Sequence, residues 1–446
     1  MAGQRLSRRQ FVRATGVAAG AATLGANIII PGRARAAKTL KILQWVHFVP
    51  AYYEWFNKKY VKEWGAKNDT EVIVDNINLA LINARATAEV SAGKGHDIVQ
   101  FNWPPPAFEQ QVVPMNDVYQ ELEKKLGKPI DLAVKSTYNP KTKQYYALSA
   151  SFTPDPVNYR QDLFGQVGLP NGPRSWDEVR SAGAKIKKDT GHPVGIGLAQ
   201  EIDTAMAMRT IMYARGAHEQ DQAGNLTLKS KETLDALKFV KALYEETMTA
   251  EVFTWDASSN NRAVVSGKVS LVLNAISTTR TAEKENPEMS RQIQLTKALA
   301  GPVRAIGLEH VMQCCVVWKF AENVEGAKKF LLDYATNFRE AFVAGEFYDF
   351  PCFPKTVPDL AKLISNDPKA HPPDKYKVLE DVLNWATNVG YPGYATAAID
   401  EIYSTWVLNT MFAKVAAGQA TPESALDEAD AACKRIFGKW KEKGLV

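Results

Sequence analysis

The chain has 446 residues, 46% of them hydrophobic and 23% charged, enough for two or three domains that each bury a core of their own. Its formal charge of +5 is misleading, because six arginines (Arg5, Arg8, Arg9, Arg13, Arg33 and Arg35) fall within the first 36 residues. The remaining 410 residues carry 48 basic and 49 acidic side chains, a net charge of about −1, which leaves no basic footprint for nucleic acid.

The elements begin with Ser7-Arg8-Arg9-Gln10-Phe11-Val12-Arg13, followed by an uncharged Ala/Gly-rich stretch from Ala14 to Ile30 and an Ala34-Arg35-Ala36 cleavage pattern. This resembles a twin-arginine (Tat) export signal covering residues 1–36, with the mature chain starting at Ala37. The apolar stretch is short and broken by Gly16, Gly20 and Gly25, unlike a membrane anchor. No cysteine follows the cleavage site to take a lipid, so a soluble periplasmic protein is expected.

Beyond the signal, Leu40 to Trp45 reads as a strand, Ala51 to Gly65 as a helix, and Glu71 to Val74 as a second strand. A helix around Asn83 to Ala92 ends at Gly93, and His96 to Phe101 forms a strand that runs into Trp103-Pro104-Pro105-Pro106. Alternation of strands and helices predicts a mostly parallel sheet covered on both faces. Tyr145 to Ser149 and Val157 to Arg160 read as strands, with Phe152 to Pro156 crossing between domains. Ser175 with Glu178 is a capping box opening a helix to about Asp189. Helices are expected over Thr204 to Arg215, Ser230 to Thr247 and Val324 to Ala335, and strands over Val269 to Leu273 and Met312 to Trp318. From Lys377 to Val446 the pattern is largely helical. Of the four cysteines, Cys314 and Cys315 are neighbours that could pair only under strain. An oxidising compartment permits Cys352 or Cys433 to pair, but with no C-x-x-C or Cys/His cluster, buried free thiols are the preferred reading.

Several short segments, weak singly, carry more in their order: Gly95 to Gln100, Tyr159 to Phe164, Gly168-Leu169-Pro170, Ser175 to Val179, Ser266 to Leu271 and Ala327 to Leu331. Their succession resembles the carbohydrate-type extracellular solute-binding proteins of bacterial ABC importers, the family of maltose-binding protein. His96 and the vicinal cysteines depart from that pattern. The resemblance implies a type II periplasmic binding fold, two α/β lobes with a central ligand cleft. One lobe would comprise residues 37–150 and 297–353, the other 151–296 and 354–446. It further implies a monomer that captures a small polar solute, most simply a sugar or oligosaccharide, and delivers it to permease subunits in the inner membrane, with no cofactor.

Sugars offer apolar faces and hydroxyl rims, so the cleft needs flat aromatic rings and a few placed hydrogen-bonding groups at strand ends. Trp45 and His47 follow the first strand and Trp103 the third, whereas Glu309 precedes the strand at Met312. From the other lobe come Asp155 in the crossing, Trp255 with Asp256, Asn274 just beyond a strand, and Tyr391 and Tyr394 framing Pro392-Gly393. The tyrosine pair is the preferred contact, because rings in such a loop suit stacking and hydroxyl bonding better than a core. Trp406, in the following helix, reads as core or cleft wall, with core preferred.

Rival readings keep the fold but change the ligand to a polyol, polyamine, metal ion or organic acid, or replace binding by hydrolysis or elimination. Neither clustered carboxylates nor clustered arginines mark the expected loops. The chain also lacks G-x-S-x-G and H-E-x-x-H, and its six histidines are scattered, so no catalytic or metal residue is assigned. Tyr145-Tyr146 could suggest a ferric-ion pair, but alternation would turn one ring into the core.

Overall fold

The computed structural model describes residues 38–446; the expected Tat motif and cleavage site lie outside the described residues. Ten strands build the two larger sheets. In chain order they are β1 (Lys38–Trp45), β2 (Thr70–Ile77), β3 (Ile98–Phe101), β4 (Leu148–Thr153), β5 (Val157–Arg160), β6 (Val194–Gly195), β7 (Leu271–Leu273), β8 (Ile293–Thr296), β9 (Val311–Val317) and β10 (Phe350–Pro351). The first sheet has the order β10-β4-β9-β3-β1-β2 and the second β8-β5-β7-β6.

Only β1 with β2 and β3, and β6 with β7, pair in parallel; the remaining pairs within these two sheets are antiparallel. The expectation of mostly parallel sheets is therefore corrected to mixed ones. The physical reason lies in the crossings. β4 delivers the chain to β5 in the second sheet, and β9 receives it back, so β9 pairs against β3 and β4 in the opposite direction. The first crossing, Pro154 to Pro156, falls where the proline-rich sequence placed it, between β4 and β5.

Each sheet anchors a large apolar core. Leu40, Ile42, Val99, Phe101, Phe152, Val316 and Phe350 lie in the first, and Val157, Tyr159, Leu271 and Leu273 in the second. Core and chain boundaries differ: Ile364 to Trp385 contribute Tyr376, Leu379 and Val382 to the first core, whereas Leu299, Ile306 and Leu308 pack in the second. Cys352 and Cys433 sit in different cores and do not pair with each other, and all four cysteines are free thiols.

Local signals act largely as read. Ser175 Oγ accepts the Glu178 N–H at 3.2 Å to cap helix Trp176–Thr190, although Glu178 returns its carboxylate to the Arg174 N–H at 2.6 Å, one residue before the cap. The helix expected at Ala51 to Gly65 exists as Pro50–Trp55 and Val61–Lys67, joined by a π-helical turn at Phe56–Tyr60. Two expectations fail. The strand at Tyr145 is interrupted because Tyr146 turns inward and donates its hydroxyl to the Ser136 carbonyl at 2.6 Å. Residues 377–396 are not helical: short 3₁₀ turns give way to strand Ala386–Thr387 and then a loop, since Pro392 and the two neighbouring glycines break helical pairing. The Asn388 amide bridges the Val389 and Gly393 carbonyls and holds that loop closed. Helices resume at Ala397–Ser404, Val407–Ala416 and Pro422–Glu442.

Candidate functional site

In a parallel pair both strands end on the same side, so the loops after β1, β2 and β3 gather at one edge of the first sheet. There they form one wall of a cavity of about 850 Å³, through Val46, His47, Phe48, Asn78, Asn83 and Trp103. Elements of the second core form the facing wall: Gln200, Glu201, Trp255, Ser258 and Trp406. The lining thus alternates aromatic faces with amides and hydroxyls and contains no lysine or arginine.

Its two carboxylates are already engaged. Glu201 caps helix Ile202–Ala214, accepting the Asp203 N–H at 2.7 Å and the Thr204 N–H at 2.5 Å. Asp256 accepts from the Ser258 N–H at 3.0 Å and from Arg262 at 2.9 Å, and these donors hold its carboxyl below the usual range against a contrary effect of partial burial. A bound cation would compete with these donors for three of the four carboxylate oxygens, leaving only Asp256 Oδ2, and an anion would find no positive side chain on the wall.

The aromatic rings are positioned by their supports. Trp103 is 6% exposed, leans on Tyr403 at 5.2 Å and donates its indole N–H to Asp400 at 2.9 Å. Trp255 lies over Gly195 of β6, where an added Cβ would come within 2.8 Å of the indole, so glycine is what lets the ring lie flat. Trp406 caps helix Val407–Ala416 in the left-handed region at φ 59°, an expensive conformation for a bulky residue. Such strain concentrates where a side chain's direction matters to function.

Behind the cavity runs a buried polar network through the crossings. His310 Nδ1 lies 3.2 Å from Asp155, while its Nε2 is 3.9 Å from Asp203, which in turn accepts from Asn260 at 2.8 Å. Burial raises the Asp155 and Glu201 carboxyls, and burial together with the charges of Glu201 and Asp155 pushes Asp203 well above its ordinary value. Glu309 accepts the Val389 N–H at 3.2 Å and is pushed up to about 8 by complete burial.

Of the residues singled out in the sequence, His47, Trp103, Trp255 and Asp256 meet at the cavity. His47 accepts the Val49 N–H at Nδ1 and donates from Nε2 to Asp349 at 2.9 Å, and its ring packs against Trp45, Tyr52 and Tyr348, so both nitrogens are engaged and little of the ring is exposed. Trp45 stands one step behind, 1% exposed, stacked on His47 at 4.9 Å and bonded to Gln313 at 3.3 Å. Asp155 and Glu309 belong to the crossing network. Asn274 is buried away from the cavity, where its amide donates to Asn261 at 2.7 Å. Tyr391 packs against Tyr213 and His218 with its hydroxyl on Arg304, and Tyr394 rims a separate recess of about 80 Å³ with Asn139 and Leu445; neither lines the large cavity.

Sequence reasoning passed over Phe48, Asn78, Asn83, Gln200, Glu201 and Ser258, and preferred core to cleft wall for Trp406, which packs on the second core and lines the cavity as well. The rule that sites lie beyond strand ends reaches Asn78 and Asn83 once β2 is extended to Ile77, three residues past its expected end. Nothing local announces Glu201 or Trp406, whose places depend on packing between elements distant in sequence.

The geometry agrees with independent likenesses. Solved structures of the same architecture include maltose-bound MalE3 of T. maritima, with a TM-score of 0.75 and 18% identity over 90% of this chain and 100% of that one. Another is a ribitol-bound ABC transporter solute-binding protein of Agrobacterium radiobacter, at 0.74 and 19% over 90% and 99%. At such identities these establish the fold. A binding protein of Brucella abortus is 27% identical over 252 residues, 55% of this chain and 60% of the relative, so the match spans less than two thirds of that relative's length. The arabinooligosaccharide-binding protein of Bacillus subtilis is 21% identical over 207 residues, 44% of this chain and 45% of that one. The sequence profile of the bacterial extracellular solute-binding proteins matches residues 59–372, most of the described chain. With fold, strand-end cavity and profile in agreement, the chain is a member of the bacterial extracellular solute-binding protein family.

Proposed function

We propose that this protein captures a small neutral polar solute, a sugar or short oligosaccharide, in the cavity between its two sheets and delivers it to the permease of an ABC importer. The observation that carries the reading is the cavity wall: indole faces and uncharged hydrogen-bonding groups from both sheets, with no free cation and with both carboxylates engaged. Stacking faces suit the C–H side of a sugar ring, and amides and hydroxyls suit its rim. The maltose-bound neighbour and the arabinooligosaccharide-binding relative support a saccharide, and the ribitol-bound neighbour supports a polyol as the second reading.

Capture would work through the balance of open and closed arrangements, because a solute touching both walls favours whichever arrangement brings them together. The two lobes would divide near residues 150 and 297, with residues 364–385 completing the first core and residues 299–308 the second. In this reading the protein acts as a monomer, is exported by the Tat route to the periplasm, and performs no catalytic step. No helix among the described residues is long and apolar enough to cross a membrane.

A thermal-shift panel of sugars, polyols, polyamines, metal ions and small organic acids tests the proposal. At about 100 times the dissociation constant a true solute adds roughly 2.7 kcal/mol, several degrees in midpoint. Stabilisation by one class of sugar or polyol, reduced by Trp103→Ala, is the expected result; stabilisation only by ions, amines or acids would reject it.

A further inference from the structure

The Trp103 loop has an unusual hydrogen-bonding problem. Pro104, Pro105 and Pro106 bring no backbone N–H, so they stiffen the loop without tying it to anything. Two of its remaining donors converge on a single side chain of the second core, against which the Trp103 ring itself packs. Asp400, on helix Ala397–Ser404, accepts the Trp103 indole N–H at 2.9 Å through Oδ1 and the Ala107 N–H at 3.1 Å through Oδ2. Only an ionised carboxylate accepts freely at both oxygens in this way. Once protonated, one oxygen carries a hydrogen and faces one of the two donors with a donor of its own.

We propose that Asp400 is a positioning residue of the solute cavity, whose ionised carboxylate fixes the Trp103 indole in the cavity wall and releases that orientation when it takes up a proton. Asp400 does not itself line the cavity, and its effect on a solute runs through Trp103. Burial pushes its carboxyl up to about 7 against the lowering effect of its two donors, with the neighbouring Glu401 adding to the rise. The other titratable groups within electrostatic reach are Tyr146 and Cys314, both buried, with burial favouring their neutral forms. Glu401 is itself paired with Lys439. The ring of Tyr403 supports the Trp103 indole and lies under the Arg209 guanidinium at 4.6 Å.

The test labels the full chain with 5-fluorotryptophan and follows fluorine NMR from pH 5.5 to 8.5, identifying the Trp103 resonance by its absence in Trp103→Phe. The expected result is one transition of that resonance with a midpoint within about a unit of 7, abolished in Asp400→Asn, whose amide cannot accept at both positions. A Trp103 resonance that does not move with pH, or a transition that persists in Asp400→Asn, would overturn the proposal. Should Asp400→Asn fail to fold, Asp400→Glu decides: a displaced midpoint supports the assignment and an unchanged one overturns it. The inference rests on the proposed function only in treating Trp103 as part of a solute site. Because the fluorine signal needs no solute, failure here and failure of the solute panel are separate outcomes.

Discussion

Replacing Arg209 by Met tests how the second core holds a fully buried ion pair. The guanidinium donates to Glu219 at 2.6 Å and to the Ala205 carbonyl at 3.1 Å, with both charged side chains at most 1% exposed. Glu219 also accepts the Tyr213 hydroxyl at 2.9 Å, so removing Arg209 leaves a carboxylate with one neutral donor and no counter-charge. Truncating one member of such a pair costs about 3–5 kcal/mol, because the partner stays desolvated. For a cooperative unit of 150–250 residues that is roughly 6–20 °C of midpoint. Calorimetry at pH 7 would show the transition containing the second core falling by that amount, and Arg209→Met/Glu219→Gln recovering most of it. A single-variant loss below about 1 kcal/mol, or a double variant no better than the single, would refute the reasoning.

Other expectations follow from the same geometry. Ser175→Ala removes the cap of helix Trp176–Thr190 and should cost about 1 kcal/mol by urea denaturation. At Trp406 the usual ranking reverses: with φ at 59°, Trp406→Gly should be more stable than Trp406→Ala by about 1 kcal/mol, and equal or inverted stabilities would remove the strain from the account. Glu309 is protonated more readily in the folded chain than in the unfolded one, so its contribution is fully present below the ordinary carboxylate range and is lost as pH rises to about 8. Glu309→Gln should therefore flatten the decline of melting temperature between pH 5 and 8. Gly195→Ala should displace the Trp255 ring and weaken solute binding more than it lowers stability, as read by titration calorimetry beside thermal melts.

Most of the fold was legible because its signals are local. Alternation marked β1, a cap marked helix Trp176–Thr190, and proline marked the crossing at Pro154 to Pro156. The candidate cavity was legible only where it coincided with a strand end, at His47 and Trp103, or with a polar loop carrying an indole, at Trp255 and Asp256. Tyr391 misled because a ring beside Pro-Gly looks accessible, whereas Tyr213, His218 and Arg304 arrive from far along the chain to surround it. Trp406 serves both of the roles its sequence left open. A tryptophan among Tyr403, Val407 and Leu408 looks like core, and Trp406 does pack on the second core while also lining the cavity from a left-handed backbone. Long-range partners decide both cases, and no periodicity encodes them.

The central claim is that one solute is held by both walls of the cavity. Amide hydrogen exchange with and without the stabilising solute tests it directly. The account predicts added protection together in residues 46–48 and 78–83 of the first wall and 200–202 and 255–258 of the second. Protection confined to one wall, or centred instead on residues 394–396 and 445–446 around the small recess, would contradict it.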